Sequence, residues 1–244
     1  MKTGLVSVTF RRLTRQDIVK LCEKAGLEMI EWGGDVHVPA GDIFAAAEAA
    51  VLCERAGIVP QGYGSYYNAA DDPELFRPSL VSAKMLGAKY IRIWAGRGLE
   101  YSETAEKNIA AAVEASARDG IKISLECHRG TMTENADIGV KLAKNTGCML
   151  HFQPNPDIDF NADLDVLKRY SPYLCAVHVF AWEQALRGGV KTEERLPLKA
   201  RKEQWLRYAS EAPDVPFLLE FVRNDSADSF FEDAEALLDI AGAR

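Results

Sequence analysis

Eight strand-like apolar runs, each followed by a helix-like run, succeed one another along the 244 residues of the chain. The strand candidates are GLVSVTF, LEMIEWG, IVPQGYGS, YIRIWAG, KISLECH, CMLHFQ, LCAVHVF and VPFLLEFV. Between them stand runs of helical periodicity such as TRQDIVKLCEKA, DIFAAAEAAVLCERA and SETAEKNIAAAVEASARD, and SFFEDAEALLDIA comes last. Strand–helix alternation implies a parallel sheet, because each crossover helix returns the chain for another strand of the same direction. Eight such units in roughly 250 residues are the count and size of a (β/α)8 TIM barrel, an α/β fold. The open doubly wound alternative is less favoured, since the first βα turn, TFRRLT, carries no GxGxxG. No linker divides the chain, so a single TIM-barrel domain over 1–244 is expected. Thr14 caps the first helix with Asp17 three residues on, and Gly26 ends it; Thr131 with Glu134 reads as a second capping box. A long polar loop is expected between Trp182 and Lys202.

Charge and composition narrow the function. A net charge of −7 argues against a surface for nucleic acid, which requires clustered Lys and Arg. No apolar run reaches the roughly 18–20 residues needed to span a bilayer. The stretch MKTGLVSVTFRR shows neither an apolar core nor a small-residue cleavage site, so no secretory signal is expected. The cysteines at 22, 53, 127, 148 and 175 lack CxxC spacing and read as buried apolar residues of a reducing, cytoplasmic compartment.

In a barrel of this kind the chemistry sits at the C-terminal ends of the strands. Side-chain alternation then assigns each polar residue a direction. Ile123 and Leu125 suit the helix side of strand 5, which turns Ser124, Glu126 and His128 inward. The same parity turns His151 and Gln153, His178, and Glu220 inward on strands 6, 7 and 8. Four successive strands thus aim Glu126, Gln153, His178 and Glu220 at one mouth. Interior carboxylates need a partner or a metal, and this mixture of oxygen and nitrogen donors suits a divalent cation such as Mn²⁺, Co²⁺, Mg²⁺ or Zn²⁺. Ordinary interior polar residues satisfied by hydrogen bonds are the bland alternative.

With those residues placed, the chain resembles the xylose-isomerase-like barrel superfamily (the sugar phosphate isomerase/epimerase family) over its whole length. The resemblance lies in the βα order, in SLECH near strand 5, in HVFAW after strand 7 and in LLEFV at strand 8. Ketose 3-epimerases and related members use a Glu, Asp, His, Glu metal quartet, whose places fall here at Glu126, Gln153, His178 and Glu220. Gln153 is the departure, bringing an amide where an acid is common. The resemblance implies a divalent-metal-dependent isomerase or epimerase of a ketose or keto-sugar derivative. Glu126 and Glu220 would pass a proton through an ene-diolate, with His178 a ligand. A keto-sugar or inosose dehydratase or lyase, and a non-catalytic sugar- or metal-binding barrel, remain alternatives. The abasic-site endonuclease branch is disfavoured by the charge and by a count of only four histidines.

Other residues are candidates for substrate contact. Glu31 and Trp32 at strand 2 would form part of the pocket wall, and Ser65 and Tyr66 would contact hydroxyls. Trp94 would offer a sugar face, with Arg92 pairing an interior carboxylate. His128 would touch a substrate oxygen or merely satisfy loop carbonyls. His151 reads as a core histidine, and His37 as a lid residue or an exposed one. Arg195, in the segment RLPLK, would belong to a lid over the substrate. The expected partner is a small-molecule sugar or keto-sugar, with no nucleic acid and no membrane; a homo-oligomer is compatible with all of this. The absence of a Gly-rich phosphate loop favours an unphosphorylated substrate.

Overall fold

The computed structural model describes residues 1–188 and 190–242; residues 189, 243 and 244 of the expected domain lie outside the described residues. The chain runs β1 (Thr3–Val6), α1 (Arg15–Ala25), β2 (Met29–Gly33), α2 (Ile43–Ala56), β3 (Val59–Asn68), α3 (Phe76–Leu86), β4 (Tyr90–Trp94) and α4 (Glu103–Ala117). It continues through β5 (Lys122–Glu126), α5 (Ala136–Thr146), β6 (Met149–Phe152), α6 (Phe160–Tyr170) and β7 (Leu174–Val179). A pair of short strands, β8 (Trp182–Arg187) and β9 (Val190–Arg195), precedes α7 (Lys202–Glu211), β10 (Phe217–Leu219) and α8 (Ala227–Gly242). Strands β1 to β7 and β10 close a barrel in the order β1-β10-β7-β6-β5-β4-β3-β2, every neighbour parallel. This is the (β/α)8 TIM barrel that the strand–helix alternation implies.

Alternation along the strands divides the core. Ile30, Ile91, Leu125, Phe152, Val177 and Leu219 pack outward against the helices in one continuous apolar cluster. Val6, Val8, Met29, Tyr90, Ala176 and Leu218 form a separate, smaller cluster. Strand parity places Val6, Met29, Tyr90, Ala176 and Leu218 inside the barrel, while Val8 follows the end of β1. Thr14 accepts the Asp17 N–H at the start of α1, and Gly26 closes that helix at φ 72°.

Two local expectations are corrected. Thr131 and Glu134 do not cap α5: Thr131 donates to the His128 carbonyl, Glu134 accepts from the Gly130 N–H, and Asn135 supplies the cap. The expected polar loop after strand 7 is instead an antiparallel hairpin, β8 against β9, with Trp182 opposite Arg195. Arg129 reaches both Asp157 and Glu193, and Gln184 donates to Asp157, so the hairpin is tied to the rim loops after β5 and β6. RLPLK is no free closing segment, because Leu198 is buried and its N–H donates to Asp233 of α8.

The loop after β6 is fixed from below. Asp163 of α6 accepts from the Asn155 N–H and from the Tyr208 hydroxyl of α7. Burial is the main cause that pushes its carboxyl up to about 6, against the hydrogen bonds from Tyr208 and Asn155. A raised carboxyl favours the folded state in its protonated form. Its contribution is therefore complete below the unfolded value of about 3.9 and is lost as pH rises through about 6. Asp163→Asn should remove this dependence: between pH 4 and 7 the variant should gain about 2 kcal/mol over wild type. Urea unfolding across that range measures it, and a pH-independent difference would contradict it.

Candidate functional site at the barrel mouth

Glu31 lies at the centre of the barrel with no exposed surface. One of its oxygens accepts from Arg92 Nε at 2.8 Å and the other from the Tyr90 hydroxyl at 2.7 Å. The second oxygen also lies 3.5 Å from His178 Nε2 and 3.7 Å from His151 Nε2. Burial would raise this carboxyl, but Arg92, His178 and His151 outweigh it and hold it well below the ordinary carboxylate range.

Two side chains connect this deep carboxylate to the mouth. Arg92 pairs with Glu31 through Nε and with Glu126 through Nη1. His178 lies between Glu31 on its Nε2 side and Glu220 on its Nδ1 side, the latter at 3.1 Å. Neither approach has hydrogen-bond alignment: both His178 ring nitrogens and Glu220 Oε2 are buried without a hydrogen-bond partner. Burial alone would lower the His178 pKa, yet Glu220 and Glu31 push it up to about 10. His151 goes the other way, because burial and the neighbouring His178 hold it neutral.

Room for the two largest of these residues is made on the facing strand. The inward positions of β3 beside β4 are Gly62 and Gly64, paired in register with Tyr90 and Arg92. A Cβ on Gly62 would stand 2.3 Å from the Tyr90 ring, and one on Gly64 would stand 2.6 Å from Arg92 Nη2. The intervening Tyr63 points outward into the helix layer, its hydroxyl donating to the Val38 carbonyl.

The predicted site residues separate into three groups. Glu126, His128 and Gln153 line a cavity of about 90 Å³ at the mouth, together with Phe221, the residue after Glu220. The His128 ring lies 4.5 Å from that of Trp94, and its Nδ1 is bonded to the Arg129 carbonyl at 2.7 Å. His178 and Glu220, both buried, are not among the residues that line this cavity. Glu31 is not a wall residue but the buried hub beneath it. Trp32 is no pocket residue either: it has the opposite parity and is fully buried in the helix layer, edge-on to His37. His37 is neither lid nor exposed, being 2% exposed and 3.0 Å from the Ser7 hydroxyl. Ser65 is buried, with its hydroxyl engaged by the Arg92 carbonyl. Tyr66 and Arg195 lie farther round the rim. Tyr66 accepts from Arg11, while Arg195 is tied to Asp225 and the Val222 carbonyl.

Among the described residues, the metal-donor side chains with ligand atoms within 4.8 Å of one another are Glu31, His151 and His178. Only His178 of these belongs to the expected quartet. The deep trio is a poor cation site, because Arg92 already places a positive charge 2.8 Å from Glu31. The expected quartet is divided: His178 and Glu220 meet, whereas Glu126 turns onto Arg92.

No protein-family profile and no curated protein matches the chain. Solved structures do. A xylose isomerase-like TIM barrel protein from Mycobacterium smegmatis, in complex with magnesium, superposes with a TM-score of 0.68 at 14% identity, covering 95% of this chain and 90% of that one. The fold is the (β/α)8 barrel that the M. smegmatis protein shares with this chain. The probable 3-DHS dehydratase AsbF of petrobactin synthesis, from Bacillus anthracis, gives 0.77 at 17% identity over 98% of this chain and 99% of that one. A D-allulose 3-epimerase from Methylomonas sp. gives 0.69 at 15% identity over 98% and 96%. No helix among the described residues is long and apolar enough to cross a membrane.

Because Gly64 makes the space Arg92 occupies, Gly64→Ala should displace the guanidinium and lower stability by about 1–3 kcal/mol. Denaturant unfolding checks this; an unchanged midpoint would show that Arg92 can shift at no cost.

Proposed function

We propose that the protein is a divalent-metal-dependent isomerase or epimerase of a ketose or keto-sugar derivative, with Glu126 and Glu220 carrying the proton. The reading is supported chiefly by the pairing of His178 Nδ1 with Glu220 Oε2, two buried donor atoms 3.1 Å apart without an aligned hydrogen bond. Such a pair fits a shared cation, and Glu126 and Gln153, which line the cavity at the mouth, would complete the oxygen donors. Ligation through Nδ1 would require the proton there to leave, and Glu31, 3.5 Å from Nε2, would favour keeping the other ring proton on that side. A divalent ion held there supplies Lewis acidity toward a carbonyl and its neighbouring hydroxyl.

The remaining work belongs to the chain's own side chains. Arg92 holds the Glu126 carboxylate at the β4 side of the mouth and offsets its charge. One of Glu126 and Glu220 takes the proton from the carbon beside the carbonyl, and the other returns a proton to the ene-diolate. His128, with Nδ1 donating to the Arg129 carbonyl, presents Nε2 as an acceptor for a substrate hydroxyl. Trp94 backs that ring and offers an apolar face to a sugar. The likeness to the B. anthracis dehydratase supports a second reading, in which the same proton abstraction is followed by loss of a leaving group.

Proton–deuterium exchange distinguishes these readings when ketoses, keto-acids and inososes are incubated with the protein and Mn²⁺ in D₂O. Exchange beside the carbonyl is expected, falling at least about 100-fold in Glu126→Gln and in Glu220→Gln with binding retained. A dehydrated product would select the second reading, and binding without exchange would mean a non-catalytic barrel.

Gln153 lends the ion an oxygen but no charge. Gln153→Asp should therefore bind Mn²⁺ about tenfold more tightly, a change of about 1.4 kcal/mol, by calorimetric titration. Weaker binding in the variant would count against Gln153 as a ligand.

A further inference from the structure

Helix α2 departs from the pattern of an outer barrel helix, which buries one stripe and shows polar residues to water. α1 follows that pattern, exposing Gln16, Lys20, Glu23 and Lys24. The buried stripe of α2 is Ala45, Ala46, Ala49 and Cys53. Its remaining surface carries Ile43, Phe44, Ala47, Ala50 and Val51, interrupted by Glu48. Phe44 is 82% exposed, Val51 42% and Ile43 40%. A helix that is apolar on all sides is ordinarily covered on all sides.

The neighbouring helix continues the patch. α3 packs beside α2, with the Gly41 N–H on the Pro78 carbonyl and the Ser82 hydroxyl on the Pro39 carbonyl. Pro78, Val81 and Met85 share the outer face of α3, Val81 being 39% exposed and Met85 45%. Ion pairs mark the two long edges, Arg15 with Glu48 on the α1 side and Lys84 with Asp119 on the α4 side. Glu54, Arg55 and Arg77 are exposed beside the patch and have no ion-pair partner among the described residues. An apolar centre inside a polar rim is the anatomy of a protein–protein interface.

Area and charge say what covers it. The exposed fractions of Ile43, Phe44, Val51, Val81 and Met85 amount to roughly 500 Å² of mostly apolar surface, near the limit of about 600 Å² for the largest patch on a monomer. A standard interface takes about 800 Å² from each partner, about 56–65% of it apolar, and this patch supplies that apolar share. The rim carries both signs, Arg55 and Arg77 with Glu48 and Glu54. A lipid surface calls for a basic rim instead. Two copies of a single-sign rim would repel, whereas a mixed rim lets the acids of one copy meet the arginines of the other. We infer that the α2–α3 face docks a second copy of this chain, the two faces packing about a two-fold axis. The small side chains of Ala47 and Ala50 leave room there for the Phe44 ring of the other copy. The inference stands apart from the reading of the barrel mouth, since none of these residues lies there.

Sedimentation velocity of the full chain from about 1 to 100 µM tests it, because the mass of a self-associating chain depends on concentration. A dimer is expected at the upper end, with Phe44→Glu and Val51→Lys each weakening dimerisation at least about tenfold. Leu99→Glu, at a residue 53% exposed in the loop after β4, should leave the dimer unchanged. Phe44 and Val51 are exposed in the single chain, so far-UV circular dichroism of both variants should match wild type; this separates loss of the contact from loss of the fold. A chain that stays monomeric throughout would overturn the inference, and flotation of that monomer with phosphatidylglycerol vesicles would assign the face to lipid. A dimer indifferent to both substitutions, or broken by Leu99→Glu alone, would overturn its placement on α2 and α3.

Discussion

A carboxylate with no exposure to water sets the conditions for the rest of this barrel. Removing Glu31 from solvent is costly unless its charge is met and its oxygens are bonded. Arg92 meets the charge, Tyr90 takes the second oxygen, and His178 leans on it from β7. The two cationic partners are also the residues that reach the mouth, Arg92 to Glu126 and His178 to Glu220. Satisfying the buried charge and aiming the mouth residues are therefore one structural act. Removal of Glu31 would leave an arginine and a histidine in the interior with their remaining carboxylates on one side only, and both would be drawn upward.

Such a network needs space that eight strands of bulky residues would not leave. Met29, Ala176 and Leu218 pack in the interior with Tyr90, and β4 contributes both Tyr90 and Arg92 to it, both long. Their volume is accommodated by the absence of side chains on the inward face of β3, where Gly62 and Gly64 stand. The outward residue between them, Tyr63, compensates by packing in the helix layer. Large and small residues thus alternate around the barrel wall, the condition for dense packing without strain.

How much of this could be read beforehand follows from which rule governs each residue. Alternation fixes direction, so Ser124, Glu126, His151, His178 and Glu220 were legible as interior from their apolar neighbours alone. The same rule excludes Trp32 once Glu31 is inward, since adjacent strand residues cannot share a face, so the two cannot line one pocket wall. The depth of Glu31 was not legible, because parity gives a side but not a height. Nor was the capture of Glu126 by Arg92, which depends on β4 and β5 being neighbours in register. A signal for it did exist in PQGYGS, whose alternating glycines mark where another strand's side chains intrude. The β8–β9 hairpin is not legible in the sequence because its strands are largely exposed and charged, leaving no apolar alternation.

The neutral amide at 153 acquires a different meaning inside this network than it has in isolation. Judged against an acidic quartet, Gln153 is a missing charge and suggests a metal site in decline. The interior, however, holds a third carboxylate, Glu31, and a permanent cation, Arg92, that a four-residue view omits. Three carboxylates are balanced by one guanidinium and one divalent ion when His178 is a neutral ligand. An aspartate at 153 would leave that low-dielectric cluster with an uncompensated negative charge, which Gln153 avoids while still offering an oxygen. On the proposed reading, Gln153 is the residue type that Arg92 and Glu31 together call for: the ion is held less tightly than by a fourth anion and remains correspondingly more acidic toward a carbonyl.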